Sequence, residues 1–316
     1  MFEPDRNLPN EILVHIFSII SQGDLTKVAL VSHRFNAIAE RVLYSSIDIV
    51  EQPTKNAPKR SLGWCKAMKR KQLYDIPRKL SIRWRIHMDK SKSLPHWCSL
   101  LNKNIRRLTL LDILELSIAP SSEAAIPALE LIIRDLRLPN LRHCLLYGGN
   151  LRWPTGSPCC KPKPSVMCAF IAFHSGLRYL AVVDISESAV KLVPHDAVPE
   201  LSIFYGSHRG APFILPGRSV YHLVLTGMER DLSNENLSHM ALTSVPLRIL
   251  DLSSNWISPS VLRDIAVHLP TIEIFRVRLT LDRALTPIVS RPISIYFAIL
   301  SWGGRISLNP FLGGIP

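Results

Sequence analysis

The sequence predicts an α/β fold in two parts: a small unit of three short helices, then an irregular solenoid with a curved parallel sheet. Three observations carry this. Apolar residues recur at helical spacing through roughly the first 45 residues. Beyond that the period shortens to strands, and a pattern apolar-x-x-apolar-x-apolar returns along the chain. Apolar helical stretches such as Ile126 to Leu136 and Ser260 to Leu269 lie between those strands, so strand, turn, helix, strand is the repeating unit.

The first helix is predicted from Leu8-Pro9-Asn10-Glu11, after which Ile12, Leu13, Ile16, Phe17 and Ile20 share one face. Pro9 suits a first turn, where its missing N–H costs nothing, and Glu11 suits the positive end of the dipole. Gly23 is expected to break this helix and Asp24 to cap a second, carrying Leu25, Val28, Ala29 and Leu30. Ser32 is expected to cap a third, through Phe35, Ile38, Ala39, Val42 and Leu43, ending near Tyr44. So few residues cannot bury this much apolar surface among themselves. A partner surface is implied, with Ile12, Leu13, Ile16 and Phe17 as the expected contact.

In order and spacing these residues resemble the F-box family: Leu8-Pro9, Glu11-Ile12-Leu13, Ile16-Phe17, Asp24-Leu25, Leu30-Val31-Ser32, Phe35 and Leu43-Tyr44. The resemblance covers about residues 5 to 45. It implies docking on the Skp-type adaptor of an SCF cullin-RING ubiquitin ligase. Carried onto matching positions, the adaptor contacts would be Leu8, Pro9, Ile12, Leu13, Ile16, Phe17, Leu25, Val28, Val31 and Phe35. Val28 especially is also placed to pack the helices together.

The later pattern occurs as Ile105-Leu108-Leu110, Leu141-Cys144-Leu146, Leu177-Leu180-Val182, Val220-Leu223-Leu225, Leu247-Leu250-Leu252 and Ile272-Phe275-Val277. Weaker copies run through Leu201 and Phe204 and through Leu80-Ile82-Trp84. From Ile105 onward, start-to-start spacings are 36, 36, 24, 19, 27 and 25 residues. The stretch Leu247 to Asn255 fits L-x-x-L-x-L-x-x-N, in which an Asn satisfies backbone groups at the following turn. The region thus resembles degenerate leucine-rich repeats, whose units run about 20 to 29 residues. Arg106, Arg142, Arg178 and Arg248 recur after the first apolar position, which favours repeats. Arg152 through Pro164 reads as a proline-rich surface loop, and the glycine-rich end lacks either period. The expected organisation is residues 1–48 helical, 49–76 a basic linker, 77–302 the repeat domain and 303–316 an irregular tail.

The net charge of +13 is local. Lys55 to Arg107 holds 16 Lys+Arg against Asp75 and Asp89, whereas the remainder has 22 basic and 23 acidic residues. Lys59-Arg60 and Lys69-Arg70-Lys71, interleaved with Trp64, Tyr74, Trp84 and Trp97, would suit phosphate contact and base stacking. The same residues also read as a nuclear-localisation segment, a patch steering acidic substrates, or a solvated linker. The six cysteines lack C-x-x-C spacing and read as free thiols. No apolar run reaches the roughly 18 residues of a membrane span. The acidic start does not resemble a secretory signal, and the expected location is cytoplasmic, nuclear or both. Phosphate-loop, dinucleotide, nucleophile-elbow and zinc-protease motifs are missing, and His174, His195 and His208 stand alone. The sequence thus points to a non-catalytic substrate receptor without cofactor or metal, reaching cullin through the adaptor and binding an unidentified protein cargo. The alternatives are a basic nucleic-acid-binding module and an F-box protein acting outside ubiquitination.

Overall fold

Two of the N-terminal helices start on a serine cap, and the first starts behind a proline. In the computed structural model, which describes residues 8–51, 58–68, 73–86, 94–120, 125–147, 164–183, 193–227, 232–257 and 259–279, α1 spans Asn10–Ser18. Pro9 precedes it, and its carbonyl accepts the Ile12 and Leu13 amides at 3.2 Å. Helix α2 spans Gln22–Val28 and differs from expectation at its start. Ser21, not Asp24, is the cap: its hydroxyl accepts the Asp24 amide and donates to the Asp24 carboxylate at 2.8 Å. Gly23 therefore lies inside the first turn rather than ending α1. Lys27 and Ser21 hold the Asp24 carboxyl below its ordinary range. Helix α3, His33–Ser45, is capped by Ser32 as expected, through the Phe35 amide at 3.1 Å. Leu13, Phe17, Leu25, Ile38 and Ala39 form the small core. Phe17 and Phe35 meet edge to face at 5.4 Å.

Helix α3 passes directly into strand β1, Ser46–Glu51. Among the described residues eight strands follow: β2 (Lys79–Ile86), β3 (Ile113–Pro120), β4 (His143–Tyr147), β5 (Tyr179–Val183), β6 (Ile203–Ser207), β7 (His222–Thr226), β8 (Ile249–Ile257) and β9 (Ile274–Leu279). All neighbours are parallel and the spatial order is the chain order. That order is a solenoid's; a doubly wound sheet reverses direction at a switch point. The connecting helices are α4 (Lys59–Ala67), α5 (Leu94–Ile105), α6 (Ala125–Ile133), α7 (Pro164–Phe173), the single turn α8 (Ala211–Ile214), α9 (Asn234–Met240) and α10 (Pro259–His268). Contacts run α4 to α5, α5 to α6, α6 to α7, α8 to α9 and α9 to α10, as expected for helices stacked along one side of the sheet.

The expected apolar triplets are the inward columns. Leu80, Leu114, Cys144, Leu180, Phe204, Leu223, Leu250 and Phe275 lie in register, and Ile82, Leu116, Leu146, Val182, Leu225, Leu252 and Val277 form the second column, all buried. Gly206 takes the second-column position between Val182 and Leu225 because the Phe204 ring fills it; a Cβ there would meet Phe204 Cζ at 2.4 Å.

Three readings change. The triplet Ile105-Leu108-Leu110 is out of phase: α5 ends at Ile105, and the unit is Leu111-Leu114-Leu116, with Leu108 and Leu111 both buried in the turn. Two apolar triplets run end to end there, and burial of both turn leucines hides which one is the strand. The stretch 49–76 contains the end of β1 and helix α4, and Trp64, Cys65, Met68, Leu73 and Tyr74 belong to the large core. After Leu252 the backbone stays extended to Ile257, past a register shift, so the turn expected at Asn255 comes later. The Arg152–Pro164 loop falls almost wholly outside the described residues, as do Cys159, Cys160, Lys69-Arg70-Lys71 and the tail 303–316.

The recurring arginines have a geometric role. Arg142, Arg178 and Arg248 each precede a strand, and each carbonyl accepts two successive amides of the next repeat. Their side chains meet Asp112, Glu200 and Glu273 at 4.0, 3.1 and 3.6 Å. Such exposed pairs contribute only about 0–1 kcal/mol each, so the regularity marks position more than stability.

Buried polar side chains hold several of the turns, Arg218 and His174 among them. Arg218, 1% exposed, donates to the carbonyls of Ala197 at 2.8 Å, Pro194 at 2.7 Å and Ile214. It secures a loop in which Val198 takes φ 51°, a left-handed conformation costly for a β-branched residue. Arg218→Ala leaves those carbonyls without their donor and is expected to cost about 3 kcal/mol or more in urea unfolding, with Arg218→Lys recovering part. A variant within about 0.5 kcal/mol of the parent would sink this account.

His174 Nε2 accepts the Leu138 amide at 3.1 Å while Nδ1 faces the Phe170 carbonyl at 2.5 Å, which fixes the neutral Nδ1–H tautomer. Burial holds its pKa below the ordinary value near 6.5. Above that value both folded and unfolded chains carry it neutral. As pH falls below it the unfolded chain takes the proton first, so stability is lost toward acid. His222 is also lowered, chiefly by burial and then by Arg276, and acts in the same direction. His174→Gln keeps a donor and an acceptor but cannot titrate. The drop in melting temperature from pH 7.5 to 5.5 is therefore expected to be smaller in the variant, and an equal drop contradicts the assignment.

Candidate functional site

The ten positions singled out in the sequence divide into two groups. Leu13, Phe17 and Leu25 are buried in the helical core, and Val28 and Phe35 pack half-buried against it. Leu8, Pro9, Ile12, Ile16 and Val31 face solvent. The spacing that makes a helix amphipathic explains the division. In α1, Leu13 and Phe17 share the face toward α3, and Ile12 and Ile16 lie one position off it, 47% and 37% exposed.

Three further apolar residues face solvent and were not among the ten: Val14, 40% exposed on another side of α1, and two that extend the exposed group. Ile19 extends the α1 stripe at 78% exposure, and Leu30 beside Val31 is 87% exposed in the α2–α3 corner. Leu30 is a conspicuous apolar residue just before a helix cap, a signal the sequence did carry.

Arg34 joins the corner to the stripe. From the first turn of α3 its Nε donates to Asn10 Oδ1 at 3.0 Å and its Nη2 donates to the Leu8 carbonyl. This fixes the approach of Leu8-Pro9 to α1 and brings the α2–α3 corner against the start of that helix. No apolar period marks Arg34, so sequence reasoning passed over it. The resulting surface is aliphatic. It offers shape and apolar area to a partner.

A cleft lies on the sheet face away from the helices. Glu115, Leu145, Ala181 and Tyr205 lie in register across β3 to β6. Ala181, shorter than its neighbours, sits in a cleft of about 360 Å³ bordered by Tyr147 and Tyr179. Burial, then the fields of Tyr205 and Glu115, raises the Tyr179 hydroxyl above its ordinary pKa.

The basic segment does not form a stacking platform from its aromatic residues. Trp64, Tyr74 and Trp84 are buried, and Trp97 packs against the core. Several of its cations are engaged within the fold: Arg60 on the Val50 carbonyl, Lys79 on Glu115, Arg83 on Asp48, and Arg107 over the Tyr74 ring. Cys65, Cys98, Cys144 and Cys168 are buried thiols, and burial pushes Cys65 and Cys98 up to about 12. His195 is exposed, whereas His174 and His208 are buried. Among the described residues no group of three or more His, Cys, Asp or Glu is placed to hold a metal. No described helix is long and apolar enough to cross a membrane.

The division of roles predicts unequal stability effects. Ile12→Asp and Ile16→Asp change exposed side chains and are expected to shift urea unfolding by about 0.5 kcal/mol or less each. Phe17→Ala empties the small core and is expected to cost about 3–5 kcal/mol, read as lost helix at residues 10–45 by hydrogen exchange. Equal effects from the two classes would contradict the placement.

Residues 5–50 match the family model described as F-box-like. No curated protein matches the chain. Among solved structures, the crystal structure of the Rad7 and Elc1 complex in yeast is similar over 88% of this chain and 91% of that chain, with 11% identity and a TM-score of 0.33. The three helices are an F-box-like domain, placed directly before a parallel repeat sheet of nine strands among the described residues.

Proposed function

We propose that this chain is the substrate-recognition subunit of an SCF-type cullin-RING E3 ubiquitin ligase. The carrying observation is an exposed aliphatic stripe on an F-box-like domain whose last helix becomes the first strand of the repeat sheet. In this reading Leu8, Pro9, Ile12, Ile16 and Val31 meet a Skp-type adaptor, and through it cullin. Leu13, Phe17, Leu25, Val28 and Phe35 support docking by holding the helices that present them. Arg34 is a positioning residue. The repeat region, built outward from β1, receives the protein cargo.

The chain itself performs no bond chemistry in this role. It contributes proximity, raising the effective concentration of cargo lysines near the charged conjugating enzyme. Helix α3 feeds β1 without a loop, and Tyr44 and Ile47 pack into the solenoid core. A cargo held on the sheet would therefore keep a defined direction relative to the adaptor.

The test is co-purification of the full chain with adaptor and cullin. Ile12→Asp with Ile16→Asp is expected to lower adaptor recovery at least about tenfold, the loss of roughly 1.4 kcal/mol of binding, while the thermal melt stays in place. Unchanged recovery overturns the docking assignment. Recovery of adaptor without cullin overturns the ligase role and favours an F-box protein acting elsewhere.

A further inference from the structure

We propose that the tyrosine-rimmed cleft over β3 to β6 takes an uncharged stretch of a partner polypeptide, seated by one apolar side chain. The proposal rests on the receptor reading above and deepens it by naming the class of segment recognised. The recess has a specific origin. Ala181 lies in register between Leu145 and Tyr205, so the sheet face dips by most of a side chain at one position. Its volume of about 360 Å³ is at the small end of the roughly 300–1,000 Å³ range of ligand clefts. It has room for a side chain and its flanking backbone rather than a folded surface.

The charge pattern selects the chemistry. Among the described residues, the charged side chains that line the recess are already matched within the protein: Glu115 meets Lys79 at 2.7 Å and Arg83 meets Asp48. A charged side chain entering the recess would lose water without gaining a counter-ion, whereas an apolar one loses nothing. Tyrosines suit such a rim: they bury large apolar area at low entropic cost, and their hydroxyls can bond to an extended backbone. Tyr179 remains protonated at neutral pH and so remains a donor.

A phage-displayed library of random 12-residue peptides, panned on the full chain, tests this. The leading peptide is then made with a fluorescein label and titrated against the parent, Ala181→Arg and Tyr147→Ala. Enriched peptides are expected to share one apolar residue with uncharged neighbours. Affinity is expected to fall about tenfold or more in Ala181→Arg and several-fold in Tyr147→Ala. Tyr147 is 38% exposed, so its variant decides the matter if Ala181→Arg fails to fold. No enrichment, a consensus of Lys and Arg or of Asp and Glu, or affinity unmoved by either substitution overturns the proposal. So does self-association of the chain that Ala181→Arg abolishes, since the occupant would then be a second copy. Adaptor capture is scored on the same preparation. Its loss overturns the receptor reading, whereas failed selection with capture intact overturns the cleft assignment alone.

Discussion

The sheet depends on a run of shared carbonyls at the starts of its strands. The Arg78 carbonyl accepts the Asp112 and Ile113 amides, Asp112 accepts Arg142 and His143, and Arg142 accepts Arg178 and Tyr179. The run continues through Arg178, Ser202, Tyr221 and Arg248 to Glu273 and Ile274. A parallel strand cannot satisfy its own backbone, so every repeat relies on its predecessor for these bonds. That dependence fixes the register, and register sends one set of side chains inward and the alternate set to the open face. The buried columns and the tyrosine cleft are two sides of one constraint.

The run begins on α3. The Arg78 amide bonds to the carbonyl of Ser45, the last residue of that helix, at 2.8 Å. The F-box-like helices and the solenoid are therefore joined through backbone hydrogen bonding as well as by chain continuity, and both cores draw on α3. For a receptor this geometry has value: a flexible joint would let a held cargo swing away, whereas a shared helix keeps the two surfaces at one separation.

Different parts of the molecule were legible to different degrees. The F-box-like residues could be read because helix faces, the Ser32 cap and a compact order of residue types all fall within about 40 positions. Leu80-Ile82-Trp84 and the triplets from Leu141 onward could be read because alternate burial writes itself into sequence at period two. Phase failed where two triplets run end to end, from Ile105 and from Leu111. The split between Ile12 and Leu13 was not legible, because adjacent aliphatic residues look alike until α3 covers one of them. Ala181 gave no signal either: a small residue is informative only beside Leu145 and Tyr205, which lie 36 and 24 residues away.

The weakness of the repeat consensus has a physical cause. A regular array can satisfy each turn with the same asparagine, and sequence then repeats visibly. Here the turns are satisfied by different means. Asn102 donates to the carbonyls of Ile132 at 2.7 Å and Arg134 at 2.9 Å, and Arg106 adds a bond to the latter. Asn140 serves Thr109, His174 receives the Leu138 amide, Arg218 serves three carbonyls, and Thr271 serves Leu247. Each solution works at one repeat length, and strand starts here are 19 to 36 residues apart. Some of the local positive charge is engaged in the same framework. Arg106 bonds the Arg134 carbonyl of the next repeat, Arg60 reaches back from α4 to the Val50 carbonyl, and Arg83 pairs with Asp48 on the neighbouring strand. To that extent the positive charge gathered between residues 55 and 107 is taken up within the fold, and its density is weak grounds for an anionic ligand.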